Sequence, residues 1–333
     1  MHIISIADPS GVAHARREVA ALAARSGFDA DDSARAALVA TELCSNLLKH
    51  AGGGELIAQC IETRPASVEL VALDRGPGMF DVAKCLRDGY STGGSPGTGL
   101  GAIERLSQTF DIYSQPERGT VVLARLAPRG SARRQPLAGA LDIGAIVVPK
   151  PGETECGDSW CHVEHVGGAT LLGVDGLGHG PMAAHAGTEA CRVFAQRTMR
   201  EPARILEEIH AALRVTRGAA VTAIDIDFNA GRAVVASIGN LIAALVTNGV
   251  VKRLASDNGI VGHTVSKFRE LTYPCNAETI VILHSDGLSA GWQLERYPGL
   301  VKHRSSVIAA VLYRDATRGR DDSLVLVVRR EGQ

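Results

Sequence analysis

The stretch TLLGVDGLGHGP, residues 170–181, decides how the second half of this chain is read. Thr170–Val174 is an apolar, β-prone run, and Asp175 ends it. Gly176, Gly178 and Gly180 follow, and then Pro181, whose fixed φ suits the first turn of a helix. Any one Asp-Gly pair is an ordinary turn, and His179 can simply pack where that helix begins. The chain repeats the arrangement, however. Asp158 lies in Gly157-Asp158-Ser159-Trp160, Asp286 ends Ile280–Ser285, and Asp321-Asp322 precede Ser323–Val328. Carboxylates at the ends of several strands can converge although distant in sequence, and hard divalent cations favour such an oxygen-rich site.

Around these aspartates the pattern predicts strands at 143–148, 160–166, 169–174, 220–227, 233–237, 241–246, 279–284 and 323–328. Two helices, over about 181–199 and 203–215, interrupt them, which suggests stacked sheets flanked by helices. Upstream, APRGSARRQPLAGA at 127–140 breaks all periodicity with two prolines, two glycines and a basic cluster, and reads as a linker. Before it, helices over 13–25 and 32–50 are followed by strands at 55–62 and 67–73. A glycine-rich stretch leads into a helix from 102, and strands at 110–114 and 120–126 close the domain. That order predicts helices on one face of a mixed, mostly antiparallel sheet, and so an α+β chain of two domains, 1–126 and 141–333.

The first domain has its own polar constellation. Glu42, Asn46 and His50 stand at i, i+4 and i+8, one stripe of the second helix, which alone is what a solvated face looks like. Two segments add to it. Asp74-Arg75-Gly76-Pro77-Gly78 follows an apolar strand, and Gly97-Thr98-Gly99-Leu100-Gly101 opens a helix. Glycines there let backbone amides approach phosphates at a helix N-terminus. A buried Asp can accept from an adenine amino group, Asn46 can offer its carbonyl to Mg2+, and Glu42 can polarise an attacking hydroxyl. There is no G-x-x-x-x-G-K-[ST], and the segment before Gly97 is no strand, which removes the dinucleotide fingerprint.

Bulk composition narrows the classes further. With 35 basic against 36 acidic residues the chain lacks the broad positive surface of a nucleic-acid binder. Its apolar runs are too short to span a bilayer, and its N-terminus has no signal-peptide pattern, so a cytoplasmic protein off the membrane is expected. Seven scattered cysteines without a CxxC pair fit a reducing compartment. His162 and His165 alternate along a strand and need not converge on zinc.

The order E-x-x-x-N, D-x-G-x-G, G-x-G-x-G and Gly119-Thr120 entering a late strand resembles the GHKL ATPase fold, an α/β sandwich that binds ATP in histidine kinases, gyrase and anti-sigma-factor serine kinases. With TELCSNLLKHAGGGEL at 41–56, residues 1–126 are most similar to the RsbT-like switch kinases. The resemblance implies Glu42 as general base and Asn46 as Mg2+ ligand. It implies Asp74 as adenine reader with Thr120 beside it, and Gly76, Gly78, Gly97, Gly99, Leu100 and Gly101 around the nucleotide. His50 either lines the pocket or continues the polar stripe.

The pattern G-D, D-G-x-G-H-G, Gly239-Asn240, S-D-G and D-D resembles the SpoIIE branch of the metal-dependent (PPM-type) serine/threonine phosphatases, and its short form is similar to the RsbX-like ones. It implies an α-β-β-α sandwich holding two Mn2+ or Mg2+ through Asp158, Asp175, the Gly176 carbonyl, Asp286 and Asp321, with Asp321 against Asp322 left open. Relatives of both halves act on STAS-domain proteins in stress-response signalling of the stressosome type. The expectation is a regulator that phosphorylates and dephosphorylates such a partner. The alternative is a phosphatase whose first domain binds ATP and a partner without transferring phosphate. Self-association is left open.

Overall fold

The computed structural model describes residues 1–61, 65–86, 99–130, 140–196 and 200–331. The chain separates into two compact units, Met1–Arg134 and Gln135–Gln333.

The first unit contains β1 (His2–Ile6), α1 (Pro9–Arg25), α2 (Ala30–Asn46), β2 (Gly54–Ile61), β3 (Ser67–Leu73), α3 (Val82–Cys85), α4 (Gly99–Leu106), β4 (Thr109–Gln115) and β5 (Gly119–Leu126). The sheet runs β1-β2-β3-β5-β4 and every pairing is antiparallel, so the mixed sheet expected from sequence is antiparallel throughout the described strands. Asp8 and Asp29 cap α1 and α2, each accepting backbone N–H groups of the first turn. Val19, Leu22, Val39, Ala40 and Leu43 of those helices share one core with Ile4, Leu56, Leu70, Val122 and Ala124, alternate residues on one face of the sheet. Buried Asp32 ties the end of this unit to α2: it pairs with Arg35 at 2.8 Å and accepts from the Arg129 N–H at 2.7 Å.

α2 ends four residues earlier than expected. Leu47–Ala51 forms a π-helical turn, closed by Gly52 at φ +72° and by Gly53 N–H donating to Leu47 O at 3.0 Å. The three glycines have different uses. A Cβ at Gly54 would lie 2.5 Å from Leu73 O, so only glycine lets β2 leave the helix and pair with β3 immediately.

The second unit contains β6 (Leu141–Val148), β7 (Asp158–His165), β8 (Gly168–Gly176), α5 (Pro181–Ala195), α6 (Pro202–Leu213), β9 (Ala219–Asp227), β10 (Arg232–Ile238), β11 (Ile242–Thr247), β12 (Val250–Arg253), β13 (Leu271–Pro274), β14 (Ile280–His284), α7 (Ser305–Ala316) and β15 (Ser323–Arg330). Two five-stranded antiparallel sheets, β13-β10-β9-β8-β7 and β12-β11-β14-β15-β6, stack over a core that includes Leu171, Ile224, Val235, Leu245, Leu283 and Leu326. The sheets interlock where Leu283 fills the space beside Gly173, 2.5 Å from where a Cβ would stand. α5 and α6 cover the first sheet through Ala186, Ala190, Phe194, Ile205 and Ile209. α7 lies on the second sheet, its Ser306 N only 2.1 Å from where a Gly144 Cβ would be. Helices outside and sheets inside make the α-β-β-α sandwich. Among the described residues no helix is long and apolar enough to cross a membrane.

Candidate functional site

In the first unit, α2 and the start of α4 face each other. A Cβ on Gly99 would lie 3.4 Å from Glu42 Oε2 and 3.6 Å from Asn46 Oδ1, so the missing side chain keeps open the space between the carboxylate and the amide. Asn46 Nδ2 is buried and has no hydrogen-bond partner among the described residues. An orphaned buried donor is costly, and it fits a group that an acceptor oxygen of a bound nucleotide completes. Asp74 follows β3, and its Oδ1 accepts from Gly76 N–H at 2.8 Å and Thr120 N–H at 3.2 Å. The Asp74 N–H donates to Thr120 O at 3.0 Å, and Thr120 Oγ1 shares a hydrogen bond with Ser114 Oγ at 2.9 Å. Asp74 and Thr120 are therefore neighbours although 46 residues apart. Gly76 and Gly78 let this loop close: Cβ atoms there would meet Ala51 Cβ at 2.6 Å and Gln115 O at 2.2 Å.

Gly99, Leu100 and Gly101 begin α4, which starts three residues before the expected helix; Leu100 packs against the core. Gly97 lies outside the described residues. His50 lies beyond α2 on the π-helical turn and is exposed.

In the second unit, strand register does the assembling. Asp158 and Asp175 are direct partners across the β7–β8 ladder. Asp175 is the penultimate residue of β8, which runs on through Gly176 rather than ending at Val174. Ser285, just after β14, donates from Oγ to Asp158 Oδ2 at 2.6 Å while accepting from Leu324 N–H at 2.9 Å. Asp286 accepts from Asn240 Nδ2 at 2.7 Å. The S-D-G glycine is obligatory, because a Cβ on Gly287 would sit 1.9 Å from Asp322 O.

Burial, then the Asp175 charge, holds the Asp158 carboxyl well above the usual carboxylate range, against the hydrogen bond from Ser285. Burial, with Asp286, Asp321 and Asp322 nearby, pushes Asp175 up to about 7. Carboxylates that suppress one another's ionisation make a site that positive charge would complete. The donors are all oxygen, which suits Mg2+ or Mn2+ better than zinc. Among the described residues no three His, Cys, Asp or Glu groups are drawn into a ready ligand set.

The two C-terminal aspartates separate by geometry. Asp322 is buried with both oxygens occupied, Oδ1 by Lys150 N–H at 2.8 Å and Oδ2 by Gly157 N–H at 2.9 Å. Asp321 is exposed, and among the described residues its Oδ1 takes only the N–H of Asp322 at 3.0 Å. Sequence reasoning had no means of seeing this, nor of finding Ser285 and Asn240 as the groups that hold Asp158 and Asp286. The S-D-G and G-N motifs were the available signal.

Comparison with known proteins sorts the same halves. Residues 6–126 match the family described as histidine kinase-like ATPase domain. Residues 166–331 match stage II sporulation protein E (SpoIIE), a match that begins after Asp158. The serine/threonine-protein kinase RsbT of Bacillus subtilis (strain 168) is 35% identical over 99 residues, which are 29% of this chain and 74% of that kinase. A chain in a structure described as "The bacterial stressosome: a modular system that has been adapted to control secondary messenger signaling" superposes with a TM-score of 0.54 at 24% identity, over 57% of this chain and 99% of its own. RsbX in complex with magnesium gives 0.49 at 19%, over 57% of this chain and 96% of its own. The chain belongs to the RsbT family of kinase-type, histidine kinase-like ATPases, and it joins to that module a SpoIIE phosphatase domain.

Proposed function

We propose that this protein is a bifunctional partner-switching regulator of the cytoplasm, which places phosphate on serine or threonine of a STAS-domain protein with one unit and removes it with the other. Residues 1–126 form the ATP-binding unit, 127–140 the linker and 141–333 the phosphatase unit. The observation that carries this reading is a pair of unfinished polar sites in one chain: the orphaned amide of Asn46 beside Glu42, and the Asp175 carboxyl, pushed up to about 7 by burial and by Asp286, Asp321 and Asp322 beside it.

In the first unit Asn46 would hold Mg2+ with ATP, and Asp74 would accept from the adenine amino group with Thr120 beside it. The backbone of Gly76, Gly78, Gly97, Gly99, Leu100 and Gly101 would surround the nucleotide. Glu42 takes the proton of the attacking hydroxyl. His50, exposed on the π-helical turn, has no role in this scheme.

In the second unit Asp158, Asp175, the Gly176 carbonyl, Asp286 and Asp321 would hold two Mn2+ or Mg2+. When bound, two such cations lower the pKa of a water and offset charge on the phosphoryl oxygens. Asp322 fixes the backbone of Lys150 and Gly157, Ser285 orients Asp158, and Asn240 orients Asp286.

The test is a time course on candidate STAS proteins by intact mass. A phosphate should be added with ATP and Mg2+, and should leave once ATP is destroyed and Mn2+ supplied. A partner panel whose mass never changes in either phase would sink the proposal.

A further inference from the structure

The carboxylate cluster creates a problem for its own substrate. Asp158, Asp175, Asp286 and Asp321 would hold the proposed cations with Asp322 close by, and a phosphoserine or phosphothreonine arrives as a dianion. Carboxylates in that number offset most of the charge two divalent cations bring, so a fixed positive group at the mouth would help to hold the phosphoryl oxygens.

We infer that Arg217 is that group, the residue that takes the phosphoryl oxygens of the phosphoprotein; the inference rests on the phosphatase reading of the second unit. Strand register brings Arg217 to the site. The β8–β9 ladder pairs Asp175 with Ala220 and Gly176 with Ala219. One step outward, Leu177 N–H donates to Gly218 O at 3.0 Å. The next step sets Gly178 against Arg217, whose Nη1 lies 3.0 Å from where a Gly178 Cβ would stand. The guanidinium thus folds over the D-G-L-G-H-G loop, three residues along from Asp175.

It is held there by the turn that carries it. Thr216 donates from N–H and from Oγ1 to Leu213 O at 2.9 and 2.7 Å, and its Oγ1 accepts from Gly218 N–H at 3.0 Å. His263 Nε2 contacts Thr216 O at 3.2 Å. Gly218 has φ +79°, and a Cβ there would meet His263 and Ile260 at 2.7 Å, so the turn has no room to reshape. Among the described residues Arg217 has neither an ion pair nor a hydrogen bond, whereas Arg200 is paired with Asp225 and Asp227. The other cationic candidate on the loop, His179, is already taken by Glu153 at 2.6 Å. A pre-positioned, unpaired guanidinium offers a planar fork that matches two phosphoryl oxygens, and it costs little to organise on binding. Exposed Leu177 and Val215 on the two segments add apolar surface that a protein substrate covers and a free phosphate ion does not.

The experiment compares the full chain with Arg217→Ala and Arg217→Lys in Mn2+, using a phosphoserine peptide and p-nitrophenyl phosphate for turnover. Calorimetry with orthophosphate gives a readout independent of turnover. Arg217→Ala should raise KM for the peptide and the Kd for orthophosphate about tenfold or more, with kcat changing much less. Arg217→Lys should recover part of the binding. Unchanged KM and unchanged orthophosphate affinity in Arg217→Ala would overturn the inference, as would a loss confined to kcat that lysine does not restore. A wild-type chain that binds orthophosphate through Arg217 but hydrolyses neither substrate would leave this anchor standing and reject the phosphatase reading instead.

Discussion

The two units hold their polar sites in opposite ways. In the first, the site residues sit on a helix, a loop and a second helix N-terminus, and the space between them is kept by what glycines lack: Gly99 beside Glu42 and Asn46, Gly76 against Ala51. Its unfinished feature is a hydrogen bond, the bare Nδ2 of Asn46. In the second, the carboxylates are set by ladder register and braced by Ser285, Asn240 and two backbone amides, and its unfinished feature is charge. A site that lacks hydrogen bonds is completed by a neutralised, directional ligand. One that lacks positive charge is completed by cations. The difference implies that the two activities can be removed separately.

The largest effect should come from the charge-built site. Asp175→Asn should cut Mn2+-dependent hydrolysis of a phosphorylated partner about a hundredfold or more, because it removes a central carboxylate of the set that would hold the cations. ATP binding by the first unit should be untouched. Near-normal hydrolysis in that variant would remove the two-metal assignment. In the glycine-built site, Glu42→Ala should lower phosphotransfer by roughly 10²- to 10⁴-fold while nucleotide binding persists. If neither the wild type nor this variant labels a partner while ATP binding and partner affinity persist, the first unit is a binding module and the contrast is between an enzyme and an adaptor.

A smaller effect tests the bracing. Ser285→Ala leaves Asp158 and the Leu324 N–H without a partner inside the sandwich, and should cost about 1–3 kcal/mol on denaturation in the absence of metal. Added Mn2+ should recover part of the loss if the cations take over from the hydroxyl. No change in unfolding midpoint would mean that Ser285 does not brace the site.

The smallest effect lies away from both sites. Gly262 N–H donates to His210 Nδ1 at 3.0 Å, which requires a ring unprotonated at that nitrogen. Burial, then Arg214 and His263, hold its pKa below the ordinary 6.5. A group with a depressed folded pKa gives its full stabilisation above the unfolded pKa and loses it as pH falls through the folded one. Melting should therefore drop as pH falls below about 6.5, and less so in His210→Asn, whose amide oxygen accepts without titrating. Equal pH slopes in the two proteins would show that this bond does not sense pH.

How far the sequence could be read follows the same contrast. The aspartates of the second unit were visible because each sits in a short motif at a strand end, and the ladder then puts Asp158 opposite Asp175. What separates Asp321 from Asp322 was not visible, since the amides that claim Asp322 belong to residues more than 160 positions away. β1 is too short and α7 too uniformly buried for either to show a period. Leu47–Ala51 looked like more α-helix because its composition is helical, and the close approach of Gly54 to β3 just beyond it is a tertiary contact that composition does not show.

The most direct test of two opposed activities in one chain is the intact mass of a STAS-domain partner incubated with ATP, Mg2+ and the Asp175→Asn variant. With removal disabled and transfer intact, the partner should accumulate phosphate beyond the level the wild type sustains. A partner that stays unphosphorylated with this variant, although ATP is bound, would contradict the account.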